Sequence, residues 1–183
     1  MTFVEPNGNE SGVIEADNGD NLIHGRGGDD VVNGQGGDDY LRGGTGNDVM
    51  KGNVGDDKLA GSEGNDKLIG GGGDDHLTGG NGNDHLVGGA GDDILSGGPG
   101  NNKLTGGSGS DTFVFGPTSD GKTKILDFEI GIDELRLNGG LDADGFREYA
   151  GGTYADLDNG GIIVFQGLTV AEVEAIFDEF VII

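Results

Sequence analysis

The sequence predicts an all-β fold: a parallel β-roll, which is a right-handed solenoid of nonapeptide repeats, with a C-terminal β-rich cap that includes a short helix. Three observations support this prediction: a gap-free period of nine over residues 16 to 114, 43 glycines among 183 residues, and a formal net charge of −24. The period predicts a repeating structural unit. So much glycine predicts turns rather than a large apolar core, and the charge predicts that cations take part in folding.

The composition excludes several classes of function. With 34 Asp and Glu against ten Lys and Arg, the chain is not expected to bind nucleic acid. It has no Cys, which excludes disulfides and thiolate metal sites. No apolar run reaches transmembrane length, and the first residues, MTFVEPNGNESG, do not have the pattern of a cleavable secretory signal. Composition alone favours an intrinsically disordered chain, but the regular arrangement of the residues along the sequence favours a repeat fold.

The repeat region, residues 16 to 114, consists of eleven consecutive nonapeptides. They read ADNGDNLIH, GRGGDDVVN, GQGGDDYLR, GGTGNDVMK, GNVGDDKLA, GSEGNDKLI, GGGGDDHLT, GGNGNDHLV, GGAGDDILS, GGPGNNKLT and GGSGSDTFV. Position four is always Gly, and position eight is always apolar. Only positions seven to nine suit a strand, so we predict strands of about three residues with position eight facing inward. The first six positions are predicted to be turn, and two repeats make one 18-residue rung, so successive repeats should lie on opposite sheets.

Position six holds an acid or its amide in every repeat. The rungs should place these side chains in two rows, one along each edge of the roll, with neighbours about 4.8 Å apart. Like charges at that spacing need counter-ions. Calcium fits, because it takes roughly six to eight oxygen ligands from carboxylates and backbone carbonyls, whereas magnesium prefers to keep its waters. The residues at position six are Asn21, Asp30, Asp39, Asp48, Asp57, Asp66, Asp75, Asp84, Asp93, Asn102 and Asp111.

These repeats match the pattern GGxGxDxUx, where U is a large apolar residue, and so resemble the calcium-binding repeats of the RTX (repeats-in-toxin) family. The segment SDTFVFGPTSDGKTKILDFEIGIDELRL is similar to the one that follows β-rolls in secreted bacterial proteases and epimerases. The resemblance implies that the position-six Asp side chains bind calcium between turn n and turn n+2. It also implies that turn carbonyls, such as those of Gly71 and Gly73, complete each site.

Eleven turns would then hold at most about nine calcium ions. Asn21 and Asn102 can bind through an amide oxygen but bring no charge, so their sites should be weaker. The chain departs from the family pattern at positions two and three of several repeats. The departing residues are Arg26, Gln35, Asn53, Val54 and Glu63.

The flanking segments, residues 1–15 and 115–183, are expected to cap the two ends of the roll. In the C-terminal segment we predict β-strands near 124–128, 134–137 and 162–166. A short helix should follow Thr169, which forms a capping box with Glu172. The EF-hand-like fragments at 142–145 and 156–160 are expected to be Asx turns, because neither has the full loop. Asp127 and Asp133 could hold a further ion or could serve only as turn residues.

The sequence contains no catalytic motif of the H-E-x-x-H or G-x-S-x-G type, so we expect no enzyme activity. The resemblance implies an extracellular module that folds on calcium and is exported by type I (ABC) secretion machinery. The last six residues, DEFVII, resemble the uncleaved signal of that route; a last strand of the cap is the alternative. A surface protein, such as an adhesin or surface-layer segment made rigid by calcium, is the alternative function.

Overall fold

The computed structural model describes residues 2–4, 10–139, 143–149 and 152–179, which form 18 β-strands and one α-helix, α1 Val170–Glu179. The strands up to the end of the repeats are β1 Thr2–Val4, β2 Val13–Glu15, β3 Asn21–Gly27, β4 Val31–Asn33, β5 Tyr40–Thr45, β6 Val49–Val54, β7 Lys58–Glu63, β8 Lys67–Gly72, β9 His76–Asn81, β10 His85–Ala90, β11 Ile94–Ser96, β12 Lys103–Ser108 and β13 Thr112–Phe115. The later strands are β14 Lys122–Ile125, β15 Glu134–Leu137, β16 Ala143–Tyr149, β17 Gly152–Leu157 and β18 Ile162–Phe165.

Two sheets form the β-roll. One sheet has the order β1-β3-β5-β7-β9-β11-β13-β15, and the other has the order β16-β17-β18-β14-β12-β10-β8-β6-β4-β2. Within the repeats, neighbouring strands are parallel and in register 18 residues apart, so that Leu59 pairs with Leu77 and Leu68 pairs with Leu86. The predicted parallel β-roll, with successive repeats on opposite sheets, is therefore confirmed.

The core of the roll is a narrow layer between the two sheets. Each position-eight side chain, from Ile23 to Phe113, is at most 2% exposed. Side chains at position seven, such as Lys58 and Lys67, face the solvent. This inward and outward alternation is the one that the period predicts.

The prediction of three-residue strands and six-residue turns is wrong for most repeats. Strands β5 to β10, and β12, each span six residues, which are positions seven to nine of one repeat and one to three of the next. The backbone of positions two and three pairs across the rungs, as Asn53 does with Gly71 and Val54 with Gly72. A parallel ladder needs only backbone groups, so the glycines at these positions extend the strands, and the turn narrows to positions four to six.

The sheets continue beyond both ends of the eleven repeats. At the N-terminal end, β1 pairs with β3 and β2 pairs with β4. At the C-terminal end, β15 pairs with β13 and β14 pairs with β12, and β18 then adds to β14 in parallel. The three strands predicted in this segment are thus present, with ends shifted by up to three residues.

An antiparallel hairpin of β16 and β17, which extends the second sheet beyond β18, was not predicted. In the sequence, ADGFREY and GTYADL show no clear alternation of apolar and polar residues, although Thr153, Ala155 and Leu157 of β17 are buried on one face. The expected Asx turn at 156–160 is wrong for Asp156 and Leu157, which end β17; the turn follows at 158–160. In the other expected turn, Asp142 lies outside the described residues, and 143–145 belong to β16.

The helix α1 packs on the C-terminal end of the roll, and its predicted capping box is confirmed. The N–H of Thr169 donates to Glu172 Oε2 at 2.8 Å, and the N–H of Glu172 donates to Thr169 Oγ1 at 3.4 Å. Val173 and Ile176 are buried on its inner face. No helix in the described part of the chain is long and apolar enough to cross a membrane.

A chain of aromatic contacts joins the last repeat to the helix. The ring centroids of Phe113 and Phe128 are 5.8 Å apart, those of Phe128 and Phe165 are 5.4 Å apart, and those of Phe165 and Phe177 are 6.5 Å apart. The last two pairs are edge-to-face, a favourable geometry for aromatic rings. The C-terminal segment thus packs its largest side chains against the open end of the core.

Candidate metal centre

The side chains at position six form two buried rows, one at each edge of the roll. We call them the Asn102 row and the Asp111 row after their last members. Every residue in both rows is at most 3% exposed. The Asn102 row contains Asp30, Asp48, Asp66, Asp84 and Asn102, and the Asp111 row contains Asn21, Asp39, Asp57, Asp75, Asp93 and Asp111. The structure therefore brings the predicted site residues together as the period implies.

One carboxylate oxygen of each aspartate, Oδ1, accepts a hydrogen bond from the backbone one rung earlier. The N–H of Asp48 donates to Asp66 Oδ1, and the N–H of Asp66 donates to Asp84 Oδ1, both at 2.8 Å. This ladder extends beyond the repeats in the Asp111 row, where the N–H of Asp111 donates to Asp133 Oδ1 at 3.0 Å. Sequence reasoning missed these bonds, although the 18-residue spacing of the acids was a signal for them.

The other oxygen, Oδ2, is buried without a hydrogen-bond partner in nine aspartates. Such an acceptor normally costs free energy, and a charged one costs more. A row of partnerless carboxylate oxygens therefore suits cations, which bind acceptors that no N–H reaches. The nine are Asp30, Asp39, Asp48, Asp57, Asp66, Asp75, Asp84, Asp93 and Asp111.

Glycine at position one makes room for Oδ2. A Cβ added to Gly25 would lie 2.5 Å from Asp30 Oδ2 and 2.6 Å from the carbonyl oxygen of Gly43, which is position one of the next rung. Any larger residue would therefore collide with the carboxylate. The same geometry shows that a backbone carbonyl of the following rung lies close to the partnerless oxygen.

The carbonyls of positions two and four point along the row toward the next rung. A Cβ on Gly89 would collide with the carbonyl oxygen of Gly71, and one on Gly91 would collide with that of Gly73. Both carbonyls therefore face the gap between one turn and the turn 18 residues later. No group of three His, Asp or Glu side chains that could hold a metal is found among the residues the structure describes. In several repeats, as at Gly25, Gly61 and Gly79, the oxygen nearest to an added Cβ besides Oδ2 is a backbone carbonyl, a ligand type that suits calcium.

Burial raises the pKa of the position-six carboxyls. The pKa of Asp66 is raised to about 6 mainly by burial, with a further rise from the nearby Asp84 carboxylate. The pKa values of Asp75 and Asp93 are raised to about 7, again mainly by burial and then by neighbouring carboxylates. Without metal, these groups therefore titrate near neutral pH, far above their ordinary range.

Position five forms a second, exposed ladder outside each row. The N–H of Asn47 donates to Asp29 Oδ1 at 2.7 Å, and the N–H of Asn65 donates to Asn47 Oδ1 at 2.9 Å. On the other edge, the N–H of Asp56 donates to Asp38 Oδ1 at 3.0 Å. Asp, Asn and Ser all have a short side chain with an acceptor oxygen, which explains why position five accepts each of them.

The two asparagines at position six have different contacts from the aspartates. Asn102 Oδ1 accepts from the N–H of Asp84 at 2.8 Å, as an aspartate would, but its Nδ2 donates to the carbonyl of Gly98 at 2.9 Å. Asn21 Nδ2 donates to the carbonyls of Asp17 and Gly19, while its Oδ1 is buried without a partner. A ligand role for the amide oxygens of Asn21 and Asn102 stays a prediction.

Asp127 and Asp133 each have two backbone donors. The Asp127 carboxylate accepts from the N–H groups of Gly106 and Gly107, both at 3.0 Å. Asp133 accepts from Asp111, as above, and from the N–H of Glu129 at 2.8 Å. These hydrogen bonds are those expected if Asp127 and Asp133 serve as turn residues. A further ion bound by the two carboxylates stays a prediction.

The repeat region is similar to a known family of repeats. A family model described as the RTX calcium-binding nonapeptide repeat (4 copies) matches residues 8–41, 15–50, 51–86, 78–113 and 87–120. No curated protein matches the chain. Among solved structures, the crystal structure of extracellular lipase LipA from Serratia marcescens is similar, with a TM-score of 0.35 and 16% sequence identity. That alignment covers 88% of this chain and 37% of the lipase chain.

Proposed function

The chain belongs to the RTX calcium-binding nonapeptide repeat family, and on this premise we propose that its β-roll folds as it binds calcium and serves as an extracellular folding and secretion module. The single observation that supports this most strongly is the set of nine buried aspartate Oδ2 atoms without a hydrogen-bond partner. A fold that is complete without metal has little reason to bury nine unsatisfied acceptors in two ordered rows.

In the proposed sites, the position-six aspartates supply the carboxylate ligands. The backbone carbonyls of positions two and four, such as those of Gly71 and Gly73, would complete each site from the turn. Each ion would lie between a turn and the turn one rung later. Calcium would supply the positive charge that the buried oxygens lack, and one ion for each of the nine partnerless Oδ2 atoms gives about nine ions.

Folding and calcium binding are coupled because, without metal, electrostatic repulsion between the carboxylates opposes folding of the roll. Its carboxylates are buried close to one another, and its core is a narrow layer of position-eight side chains. Metal that binds only the folded state stabilises that state, so the free energy of binding becomes free energy of folding. In low calcium the chain would remain mostly unfolded, and in the high calcium outside a cell it would fold.

The flanking segments would have separate roles in this module. Residues 1–15 and 115–183 would cap the roll, because they continue both sheets and cover the core at its C-terminal end. Residues 178–183 would act as the signal for type I (ABC) export; Asp178 and Glu179 end α1, and residues 180–183 lie outside the described part. We assign no catalytic role to any described residue.

Circular dichroism of the purified chain tests the proposed function. In chelator we expect little β signal, and in millimolar calcium a full β spectrum. Magnesium at the same concentration should restore much less, because it holds its waters and prefers octahedral geometry. A β spectrum that chelator leaves unchanged would contradict calcium-dependent folding. Secretion through a type I transporter, compared for the full chain and a variant without residues 178–183, tests the export role separately.

A further inference from the structure

We propose that the turn containing Asn102 binds no calcium, because the Asn102 amide N–H bonds a backbone carbonyl at the place where the aspartate turns need an ion. This inference rests on the proposed function, since it assumes that the aspartate turns bind calcium. It concerns one turn at the C-terminal end of the Asn102 row. The sequence predicted a weak calcium site at this turn, and we now propose that no ion binds there.

The first observation is that Asn102 Nδ2 occupies the place of an aspartate Oδ2. Asn102 Oδ1 takes part in the same ladder as its neighbours, with the N–H of Asp84 at 2.8 Å. A Cβ added to Gly97 would lie 2.6 Å from Asn102 Nδ2, just as one added to Gly25 would lie 2.5 Å from Asp30 Oδ2. The asparagine therefore has the aspartate conformation, with a donor where the aspartates have an acceptor.

The second observation is the partner of this donor. Asn102 Nδ2 donates to the carbonyl of Gly98 at 2.9 Å, and Gly98 is at position two of its repeat. In an aspartate turn, the same conformation directs a carboxylate oxygen toward the same kind of carbonyl. Two acceptors repel each other unless a cation lies between them. The amide N–H removes that repulsion, and neither polar atom of Asn102 is left buried without a partner.

The third observation is that Asn21, at the opposite end of the other row, makes the same type of contact. Its Nδ2 donates to the carbonyl of Asp17, also at position two, at 3.2 Å. The amide nitrogen thus reaches the position-two carbonyl in both asparagine turns. Asn21 Oδ1 remains without a partner, however, so Asn102 is the more complete example.

The position of Asn102 shows what a metal-free turn does for the fold. One rung beyond it, Thr123 stands in the place of position six, because Lys103 and Lys124 pair in adjacent strands. Thr123 is buried and uncharged. The Asn102 row is therefore followed by a second neutral residue, Thr123, which lies in β14, the strand that joins the roll to β18 and the rest of the C-terminal segment. At Asn102, a hydrogen bond to the carbonyl of Gly98 thus takes the place of an ion.

The substitution Asn102→Asp tests the inference, because it returns an oxygen to the place of the amide nitrogen. Asn101→Asp is the matched control: it adds the same charge one residue away, at the exposed position five, where Asn101 Oδ1 accepts from the N–H of Lys122. Calcium ions bound per chain are counted by equilibrium dialysis and metal analysis at saturating calcium. We expect Asn102→Asp to bind one ion more than wild type and Asn101→Asp to bind the same number.

Equal ion counts for wild type and Asn102→Asp would overturn the inference, because they mean that the wild-type turn already holds its ion. It would also be overturned if Asn102→Asp failed to reach the wild-type β spectrum in saturating calcium, since the new carboxylate would then not attract a cation. A wild-type chain that binds no calcium at all would instead contradict the proposed function. The two failures are therefore distinguishable.

Discussion

At the scale of single residues, the position-six carboxylate has two oxygens with different partners. Oδ1 belongs to a backbone ladder that holds successive rungs together, and Oδ2 has no partner in the protein. An Asp→Asn substitution keeps the first oxygen and replaces the second by a donor. An Asp→Asn substitution can therefore weaken metal binding while it keeps the hydrogen bond to the previous rung. An Asp→Ala substitution removes both oxygens and so cannot separate the two effects.

Asp66→Asn should remove one calcium site from the middle of its row without breaking the ladder to Asp48. We expect the calcium midpoint of folding to rise by about threefold to tenfold, because the site loses a charged ligand. The transition should also become less steep, since repeats stabilise mainly their neighbours. A calcium titration followed by circular dichroism measures both effects.

Asp29→Asn is the control for this experiment. It removes the same charge at the exposed position five, and its amide oxygen can still accept from the N–H of Asn47. Its midpoint should stay close to that of wild type. Equal shifts in the two variants would mean that calcium acts as a diffuse counter-ion cloud and that position six is not the ligand.

At the scale of the strands, position two has an unusual backbone conformation in ten of the eleven repeats. Six repeats have Gly there with a positive φ, but Arg26, Gln35, Asn53 and Ser62 adopt φ values of 76°, 75°, 80° and 91° with a side chain. A left-handed conformation costs a residue other than glycine roughly 1–2 kcal/mol. These four residues all lie in the N-terminal half of the roll, so we infer that its strands are more strained than those of the C-terminal half.

Ser62→Gly should therefore stabilise the calcium-bound roll. The strain energy that glycine removes at this left-handed position is larger than the entropic cost of ordering glycine. We therefore expect the free energy of unfolding to increase by about 0.5–1 kcal/mol. The variant loses only an exposed hydrogen bond of 3.3 Å from Arg42 Nε. Denaturant unfolding in saturating calcium measures the change.

The neighbouring substitution Glu63→Gly provides the comparison. Glu63 lies at position three of the same strand and has no positive φ. Glycine at this position adds only the entropic cost of ordering it, so the free energy of unfolding of this variant should decrease by about 0.5–1 kcal/mol. If both variants are destabilised, position two is not strained in solution.

At the scale of the whole molecule, charge opposes folding in the absence of metal. The chain has a formal net charge of −24, and 17 of its acidic residues lie in the repeats. In the folded, metal-free roll, burial raises the pKa of several position-six carboxyls from 3.8 to about 6 or 7. Their contribution to stability is complete below pH 4 and is lost as the pH rises through 6 to 7.

Acidification should therefore have opposite effects with and without calcium. In calcium-depleted protein, the β signal should increase as the pH falls from 8 to 5, because the buried carboxyls become neutral. With calcium present, the midpoint for calcium should rise over the same range, because protons compete for the same oxygens. Circular dichroism at pH values well above the isoelectric point of about 4.1 measures both trends.

A β signal of the metal-free chain that decreases on acidification would show that the buried carboxyls do not control its stability. Wild type and Asp66→Asn should also differ in this test. The variant has one fewer buried carboxyl, so its metal-free β signal should depend less steeply on pH.

Most of the roll could be predicted from the period of nine. The residue types that recur at positions four, six and eight determine which side chains face inward, so Leu77 was placed in the core and Asp66 in a row with Asp48 and Asp84. The helix after Thr169 was predicted because its capping box is local in sequence. These features depend on the residue type or on contacts within a few positions along the chain.

Only the tertiary structure decided which atoms meet across the rungs. It showed that glycines at positions one to three continue the strands, that Oδ1 accepts from the previous rung while Oδ2 has no partner, and that Asn102 donates where an aspartate cannot. It also showed the hairpin of β16 and β17. The physical reason is that each of these bonds uses at least one backbone group, and every residue type has such groups, so composition and spacing do not identify the partners. Except for the bond from Asn102 to Gly98, the partners are also 18 residues apart or in different strands.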